Sequence, residues 1–318
     1  MAKYRNRLPQ LEGGTFLSDG GMETTLIFHD GVDLPHFASF VLLATPDGRQ
    51  RLRDYYRRYL DIAARHGTGF ILDTATWRSS SDWGLKLDFD ARALWRINEI
   101  AVELVAELRD EYERPGQPIV ISGAVGPRGD GYKAGVMTPI EAEEYHGAQI
   151  AAFAGSETDM VNAVTMNNIQ EAIGIVRAAR RHDLPCAISF TVETDGRLVG
   201  GDTLKHAIES VDRATGGYPH YFMINCCHPS HFDGVLDHGS EWVSRIAGVR
   251  ANASMASHAE LDDSDTLDDG DIADLSRRYR NLVGRMPHLR VLGGCCGTDH
   301  RHIAAICEAC LSTEALNA

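Results

Sequence analysis

Eight short apolar segments, most of them separated by amphipathic helical patterns, predict an α/β fold in which eight parallel strands close into a TIM-type barrel. Each segment ends in small or polar residues, and strands covered on both faces have this continuous apolar character. A doubly wound open sheet is the alternative, but no Gly-x-Gly-x-x-Gly motif follows the first segment. No break in composition marks a second domain, so we expect a single domain over residues 1–318 with its core at about 15–312. The strands are predicted at residues 15–19, 69–76, 119–125, 160–166, 186–192, 221–226, 248–253 and 290–294.

The connecting helices are predicted from apolar residues that recur at spacings of three and four positions. Such patterns occupy residues 52–63, 94–108 and 169–176, each between two predicted strands. Successive parallel strands need a crossover connection, which is usually a helix, so this alternation favours a parallel sheet.

Composition and charge narrow the class of protein. Hydrophobic residues make up 43% and charged residues 24% of the 318, which is typical of a globular protein with a sizeable core. The net charge of −14 disfavours nucleic acid as a partner. No signal-peptide pattern and no run of about 18 apolar residues occurs, so we expect a cytoplasmic protein that binds small molecules and no membrane. Its seven cysteines are then thiols or metal ligands rather than disulfides, and whether it forms a homo-oligomer stays open.

Two cysteine doublets stand where the predicted strands six and eight end. Cys226-Cys227 follows Asn225, and Cys295-Cys296 lies between glycines in the stretch Gly-Gly-Cys-Cys-Gly. In a β/α barrel the catalytic groups come from the C-terminal ends of the strands, where strands six and eight are close together. Three thiolates could therefore converge on one soft metal ion, above all zinc. The alternative is that these are small buried residues, but the glycine-flanked turn favours the metal site.

The expected ligand set also indicates a chemistry. Three thiolates donate much negative charge, which leaves zinc a weak Lewis acid suited to binding an incoming thiol and keeping it nucleophilic. Activation of water for hydrolysis is served less well by such ligands. Trp77 and Trp83 follow strand two, where their rings could hold a methylated cation or pack beneath a loop. Residues 260–271 are rich in Asp and Ser and predict a loop after strand seven, either a plain surface loop or a mobile lid.

Further motifs lie at the ends of other predicted strands. Residues 18–24 read Ser-Asp-Gly-Gly-Met-Glu-Thr, residues 73–77 read Asp-Thr-Ala-Thr-Trp, and residues 122–127 read Ser-Gly-Ala-Val-Gly-Pro. Together with Asn225-Cys226 and the glycine-flanked doublet, these motifs resemble the homocysteine S-methyltransferase family. That family opens with Asp-Gly-Gly/Ala-Met-Gly-Thr and ends its second strand with Glu-Thr-Asn-Thr-Phe. The resemblance covers residues 15 to 310, and the two cysteine motifs are its most specific part.

The resemblance implies a zinc-dependent barrel with Cys226, Cys295 and Cys296 as the ligands, while Cys227 points elsewhere. A thiol acceptor such as homocysteine then becomes the fourth ligand and takes a methyl group from a small sulfonium or ammonium donor. Family positions near the acceptor's amino-acid end are matched by Asp19, Gly20, Gly21 and Thr74. The expected substrate-binding residues are Asp19, Gly20, Gly21, Thr74, Trp77 and Glu193.

One departure from the family pattern concerns the acceptor. The family's fourth strand ends in Phe-Glu-Thr, whose Glu helps bind the substrate ammonium, but here Val164 stands at the Glu position. Either another acid serves, with Glu193 and Asp73 as candidates, or the acceptor is not homocysteine. Two other functions also stay open: a zinc-dependent barrel hydrolase or lyase, and a non-catalytic protein with a redox or zinc site.

Overall fold

The eight predicted strands form a closed barrel in sequence order, and every neighbouring pair is parallel. The structure is a computed structural model that describes residues 1–317. Strand β1 closes the ring by pairing with both β2 and β8 through only two residues, Phe16 and Leu17. The barrel expected from the sequence is confirmed. Its strands are β1 (Phe16–Leu17), β2 (Gly69–Asp73), β3 (Ile119–Val125), β4 (Met160–Met166), β5 (Cys186–Phe190), β6 (Tyr221–Asn225), β7 (Ile246–Ala251) and β8 (Val291–Gly294).

Five strands end earlier than predicted, and all five do so at the same face of the barrel. The strands concerned are β1, β2, β5, β6 and β7, whose predicted segments 15–19, 69–76, 186–192, 221–226 and 248–253 continue past the last residue of the strand. The extra residues are buried like strand residues, but they have left the ladder, and Asp19, residues 74–76 and Cys226 among them line the inner cavity described below. Strand β7 begins two residues before its predicted start at 248, whereas β3 and β4 have the predicted bounds.

Helices cover the outside of the barrel, and three of them coincide with the predicted amphipathic patterns. Each of these three helices is preceded by an N-cap residue whose side chain accepts a hydrogen bond from a backbone N–H of the first turn. The N-cap residues are Thr45 before α2, Asp90 before α4 and Asn168 before α6. No helix within residues 1–317 is both long and apolar enough to cross a membrane. The α-helices are α1 (Met22–Thr24), α2 (Pro46–His66), α3 (Ser81–Leu85), α4 (Ala91–Tyr112), α5 (Pro139–Ala154), α6 (Ile169–Arg181), α7 (Leu204–Thr215), α8 (Pro229–Phe232), α9 (Glu241–Ser244), α10 (His258–Asp262), α11 (Ile272–Arg285) and α12 (His300–Asn317). A π-helical turn spans Thr25–His29, and 3-10 turns span Pro9–Leu11, Pro35–Phe37, Ser39–Ala44 and Asp233–Val235.

The interior of the barrel changes from apolar to polar towards the C-terminal ends of the strands. Its lower layer is a cluster that includes Ile71, Val120 and Met160. Because side chains alternate along a strand, the residues two positions further on form the next inward layer, which contains Asp73, Ser122 and Asn162. This polar layer lies directly beneath the face where the cysteine motifs end, so it forms the floor of the site.

Candidate active site

The three cysteines expected to act together lie side by side at the C-terminal face. The Sγ atom of Cys226 is 2.9 Å from that of Cys295 and 3.6 Å from that of Cys296. All three sulfur atoms lie within 4.8 Å of one another, which makes them a candidate metal site. Cys227 is buried in the hydrophobic core instead, and burial raises the pKa of its thiol to about 12.

The glycines around the second doublet are required by the close approach of neighbouring segments. A Cβ atom at Gly293 would lie 1.9 Å from Ser18 Oγ, and one at Gly294 would lie 2.0 Å from Thr298 Oγ1. Gly297 has a φ of +78°, a conformation that only glycine adopts without strain. Strand β8 therefore ends at Gly294, and the chain turns at once so that both Cys295 and Cys296 face the same cluster.

Cys226 reaches the cluster through a left-handed backbone conformation. Its φ is +56°, which costs a non-glycine residue about 1–2 kcal/mol. Three donors converge on the Cys226 carbonyl oxygen and hold this conformation: Thr191 Oγ1 at 3.3 Å, Asn252 Nδ2 at 3.1 Å and His258 Nε2 at 2.6 Å. The segments that follow the two neighbouring strands β5 and β7 thus position this one thiol.

The three thiols contact one another, and these contacts shift their pKa values in opposite directions. Hydrogen bonds with Cys226 and Cys296 lower the pKa of Cys295 well below its usual range, and the nearby Arg250 guanidinium acts in the same direction. Hydrogen bonds with Cys295 and Cys296 raise the pKa of Cys226. A thiol with a lowered pKa beside two further sulfur ligands is the arrangement that a soft metal ion binds.

Tyr132 and His258 cover the cysteine cluster. The sequence analysis did not identify either of them as a site residue. The Tyr132 hydroxyl oxygen lies 2.8 Å from Cys226 Sγ, and its ring stacks on the His258 imidazole with 4.1 Å between centroids. His258 in turn contacts Glu193 Oε1 at 3.0 Å. Glu193, expected to bind substrate, therefore reaches the site through His258 and lines neither of the two cavities beside the cysteines.

A buried ion triad forms the floor of the site. Arg250 of β7 donates to Asp19 Oδ1 and to Asp73 Oδ2, each at 2.5 Å, and its Nε donates to the Gly294 carbonyl at 3.2 Å. Asp19 also accepts from the Tyr55 hydroxyl at 3.0 Å. The Asp19 carboxylate, expected near the amino-acid end of the acceptor, is thus already paired with an arginine that the sequence analysis did not single out. Arg250 could have been found as a charged residue inside an otherwise apolar predicted strand.

Asp19 makes the stability of the protein depend on pH. Burial raises the pKa of Asp19 from 3.8 to about 7 against the opposing charge of Arg250, and the like charge of Asp73 raises it further. The folded protein therefore keeps a proton that the unfolded chain releases above pH 3.8, and the free energy of unfolding falls as pH rises from about 4 to about 7.

In the variant Asp19→Asn this pH-dependent contribution to stability is absent. We expect urea denaturation to show the wild type losing up to about 4 kcal/mol relative to Asp19→Asn between pH 4 and pH 7. A difference between the two proteins that stays constant with pH would contradict the raised pKa.

An inner cavity of about 90 Å³ joins the cysteines to this floor. Asp19, Gly20, Gly21, Thr74 and Trp77, which the sequence predicts to bind substrate, all line this cavity, and Val164 lines it too. The Gly21 amide already donates to the Thr298 carbonyl at 2.9 Å, and Thr74 Oγ1 accepts from the Ala124 amide at 3.0 Å. The two glycines also allow close packing, since a Cβ at Gly21 would lie 2.5 Å from the Cys295 carbonyl oxygen.

A larger outer cavity of about 370 Å³ opens beside the inner one and shares Glu23, Thr24, Trp77, Tyr132 and Cys296 with it. The two tryptophan rings that could hold a methylated cation are already stacked against a cation of the chain itself, the guanidinium of Arg78. The Arg78 guanidinium lies 4.0 Å from the Trp77 ring centroid and 3.7 Å from that of Trp83, and burial lowers the pKa of Arg78 to about 10.

The acidic segment at 260–271 forms a wall of the outer cavity rather than a detached surface loop. Leu261, Asp262 and Asp268 line the cavity. The segment also packs on the cysteine turn, because a Cβ at Gly297 would lie 2.5 Å from the Asp268 carbonyl oxygen. His302 of α12 anchors the far end by donating from Nε2 to the Asp269 carbonyl at 2.9 Å.

Known proteins share this fold and this span of sequence. A family model described as "Homocysteine S-methyltransferase" matches residues 16–310. The metallated form of the homocysteine methyltransferase MmuM from Escherichia coli is 20% identical, with a TM-score of 0.73 over 96% of this chain and 99% of that one. Its apo form, also 20% identical, has a TM-score of 0.67 over 96% of this chain and 100% of that one. At this identity, the likeness to the solved structures concerns the barrel fold.

Proposed function

Because the chain belongs to the homocysteine S-methyltransferase family, we propose that it transfers a methyl group from a small sulfonium or ammonium donor to a thiol acceptor such as homocysteine. The observation that carries the proposal is the convergence of the Cys226, Cys295 and Cys296 thiols at the wall of a cavity on the C-terminal face of the barrel. Family membership gives the reaction class, and the thiols give the place where an acceptor sulfur would be activated.

Zinc is the metal that this donor set fits best. Tetrahedral zinc with ligands at about 2.3 Å holds its sulfur ligands about 3.8 Å apart. The Cys226 sulfur is already 2.9 Å from that of Cys295 and 3.6 Å from that of Cys296, so shifts on the order of 1 Å would complete this geometry. When bound, zinc supplies positive charge that lowers the pKa of an acceptor thiol and keeps the sulfur nucleophilic.

The transfer itself is a displacement at the methyl carbon. The acceptor's thiolate forms a new sulfur–carbon bond while the bond from the methyl carbon to the donor's cationic sulfur or nitrogen breaks. The donor leaves as a neutral thioether or amine with the electron pair of the broken bond. Because opposite charges disappear in this step, a cavity that excludes water favours it, and Ala75, Ala124 and Val164 give the inner cavity apolar walls.

The two cavities suit two substrates. The inner cavity, with the cysteines in its wall, would hold the acceptor among Asp19, Gly20, Gly21, Thr74 and Trp77. The outer cavity would hold the donor. Glu23, Asp130, Asp262 and Asp268 line it together with one arginine, Arg78, among the described lining residues, and this acidic balance supports a cationic donor.

A thiol-by-donor screen on the zinc-loaded protein tests the proposal. Candidate thiols, including homocysteine, are combined with sulfonium and quaternary ammonium donors, and the methylated thiol is measured by mass spectrometry. We expect turnover with at least one pair, and we expect it to disappear when the metal is removed and to return when zinc is added. A loaded protein that methylates no thiol, but hydrolyses a substrate instead, would overturn the proposal.

A further inference from the structure

The carboxylates around the inner cavity differ in whether a cation already neutralises them. Asp19 and Asp73 share Arg250, which approaches both at 2.5 Å. Glu23 lies where the inner and outer cavities meet and lines both, and it makes no ion pair with any residue that the structure describes. It is therefore the inner cavity's one acidic lining residue, among those described, that still lacks a cationic partner.

Glu23 is held in place by neutral groups. The Ser39 hydroxyl donates to its Oε1 at 2.7 Å, and Ser39 itself is buried. Arg78 is the nearby cation that acts on it at longer range, but that guanidinium is stacked between Trp77 and Trp83 and donates to the Gly129 carbonyl. A carboxylate that is partly desolvated and fixed in this way gains most from a partner with N–H groups.

The position of Glu23 relates it to the cysteines. It belongs to α1, which begins directly after Gly21, and Gly21 packs against the Cys295 carbonyl. Burial raises the pKa of Glu23, and the nearby Cys295 acts in the same direction. Because the cavity holds only about 90 Å³, a ligand with its sulfur at the cysteines has its other polar groups within reach of Glu23.

We propose that Glu23 binds the ammonium group of an amino-acid thiol acceptor. It does so from the β1 side of the barrel, whereas the wall formed by β4 is apolar at Val164. A primary ammonium offers three N–H donors to the free lone pairs of Glu23, whereas a sulfonium or quaternary ammonium centre offers none. This inference rests on the proposed function, since it assigns a substrate contact within that site and makes the acceptor an amino acid in spite of Val164.

Binding of two matched thiols to the cobalt-substituted protein tests this assignment. Homocysteine and 4-mercaptobutanoate carry the same thiol and carboxylate, but only homocysteine has the ammonium group. Each is titrated while the thiolate-to-cobalt absorption is followed, which measures acceptor binding without turnover. We expect Glu23→Gln to weaken homocysteine binding by about 10- to 100-fold and to leave 4-mercaptobutanoate binding unchanged.

A second variant guards against a simple loss of structure. In Glu23→Gln/Val164→Glu the carboxylate is returned from the opposite wall, and we expect homocysteine affinity to recover while 4-mercaptobutanoate affinity does not improve. Glu107→Gln makes the same chemical change at an exposed carboxylate of α4 that lines neither cavity, and it should leave the binding of both thiols unchanged.

The outcomes separate this inference from the proposed function. Equal weakening of both thiols by Glu23→Gln, or no weakening of either, would overturn the ammonium contact while thiol binding itself stands. If no thiol alters the cobalt spectrum of the wild type, the proposed function fails and the contact fails with it.

Discussion

Replacing any one of Cys226, Cys295 and Cys296 by serine should abolish stoichiometric metal binding and lower the rate of methyl transfer by more than about 100-fold. Loss of a residue that only supports a metal ligand typically lowers metal affinity or activity by about 10- to 100-fold, so loss of a ligand itself should cost more. The three sulfur atoms lie within 4.8 Å of one another, and serine offers a hard, neutral oxygen in place of a soft thiolate. Metal content measured by elemental analysis and turnover measured on the same preparation check this result.

Cys227 provides the matched control for these substitutions. It is the immediate neighbour of Cys226 in the chain, but its side chain is buried in the hydrophobic core. Cys227→Ala should therefore keep one metal ion per chain and most of the activity. The assignment of the three ligands would be wrong if Cys227→Ala lost the metal and one of the three serine variants kept it.

Replacing Arg250 by methionine should lower the free energy of unfolding by about 3–5 kcal/mol, because removal of one partner leaves buried charges without compensation. Both carboxylates of the triad depend on this one guanidinium, and Arg250, Asp19 and Asp73 are all less than 9% exposed. Urea denaturation of the metal-free protein measures the loss directly.

An exposed arginine with two acidic partners is the control for this second result. Arg96 pairs with Glu99 and Glu103 on the surface of α4, where its side chain is 55% exposed. Arg96→Met should cost less than about 1 kcal/mol, since water and salt screen such pairs. The triple variant Asp19→Asn/Asp73→Asn/Arg250→Met, which removes every charge of the triad, should regain much of the loss. Equal losses in Arg250→Met and Arg96→Met would show that burial of the triad has no energetic role.

The barrel could be predicted from the sequence because its signals are local. A buried strand such as β3 is an uninterrupted apolar run, and a covering helix such as α4 repeats apolar residues at a spacing that a short window detects. The strand ends were harder to predict. Residues 74–76 and 191–192 are as buried as the strands before them, and only the loss of pairing distinguishes them. Burial leaves a trace in residue types, whereas pairing depends on a partner far away in the chain.

The candidate site was predictable only where a motif carried it. The cysteines stand out because their glycine neighbours are required by local crowding at Gly293 and Gly294. Tyr132 lies in a loop and His258 begins the short helix α10, and these two residues, 126 positions apart in the chain, stack on each other beside the cysteines. The pairing of Arg250 with Asp19 likewise joins residues 231 positions apart. Such long-range contacts between common residue types leave no pattern that a single sequence displays.

The two-residue strand β1 gives the cysteine cluster a mechanical role. The ring closes between β8 and β1 through Phe16 and Leu17, so few backbone hydrogen bonds hold this seam. Just beyond it, Gly21 packs on Cys295, whose sulfur contacts that of Cys226, the residue directly after β6. A metal ion bound by these thiols would fasten the last strand to the sixth and hold the start of the chain against both. Local opening of the seam and release of the metal would then be one event, and amide hydrogen exchange at β1 and β8 would report how firmly the metal is held.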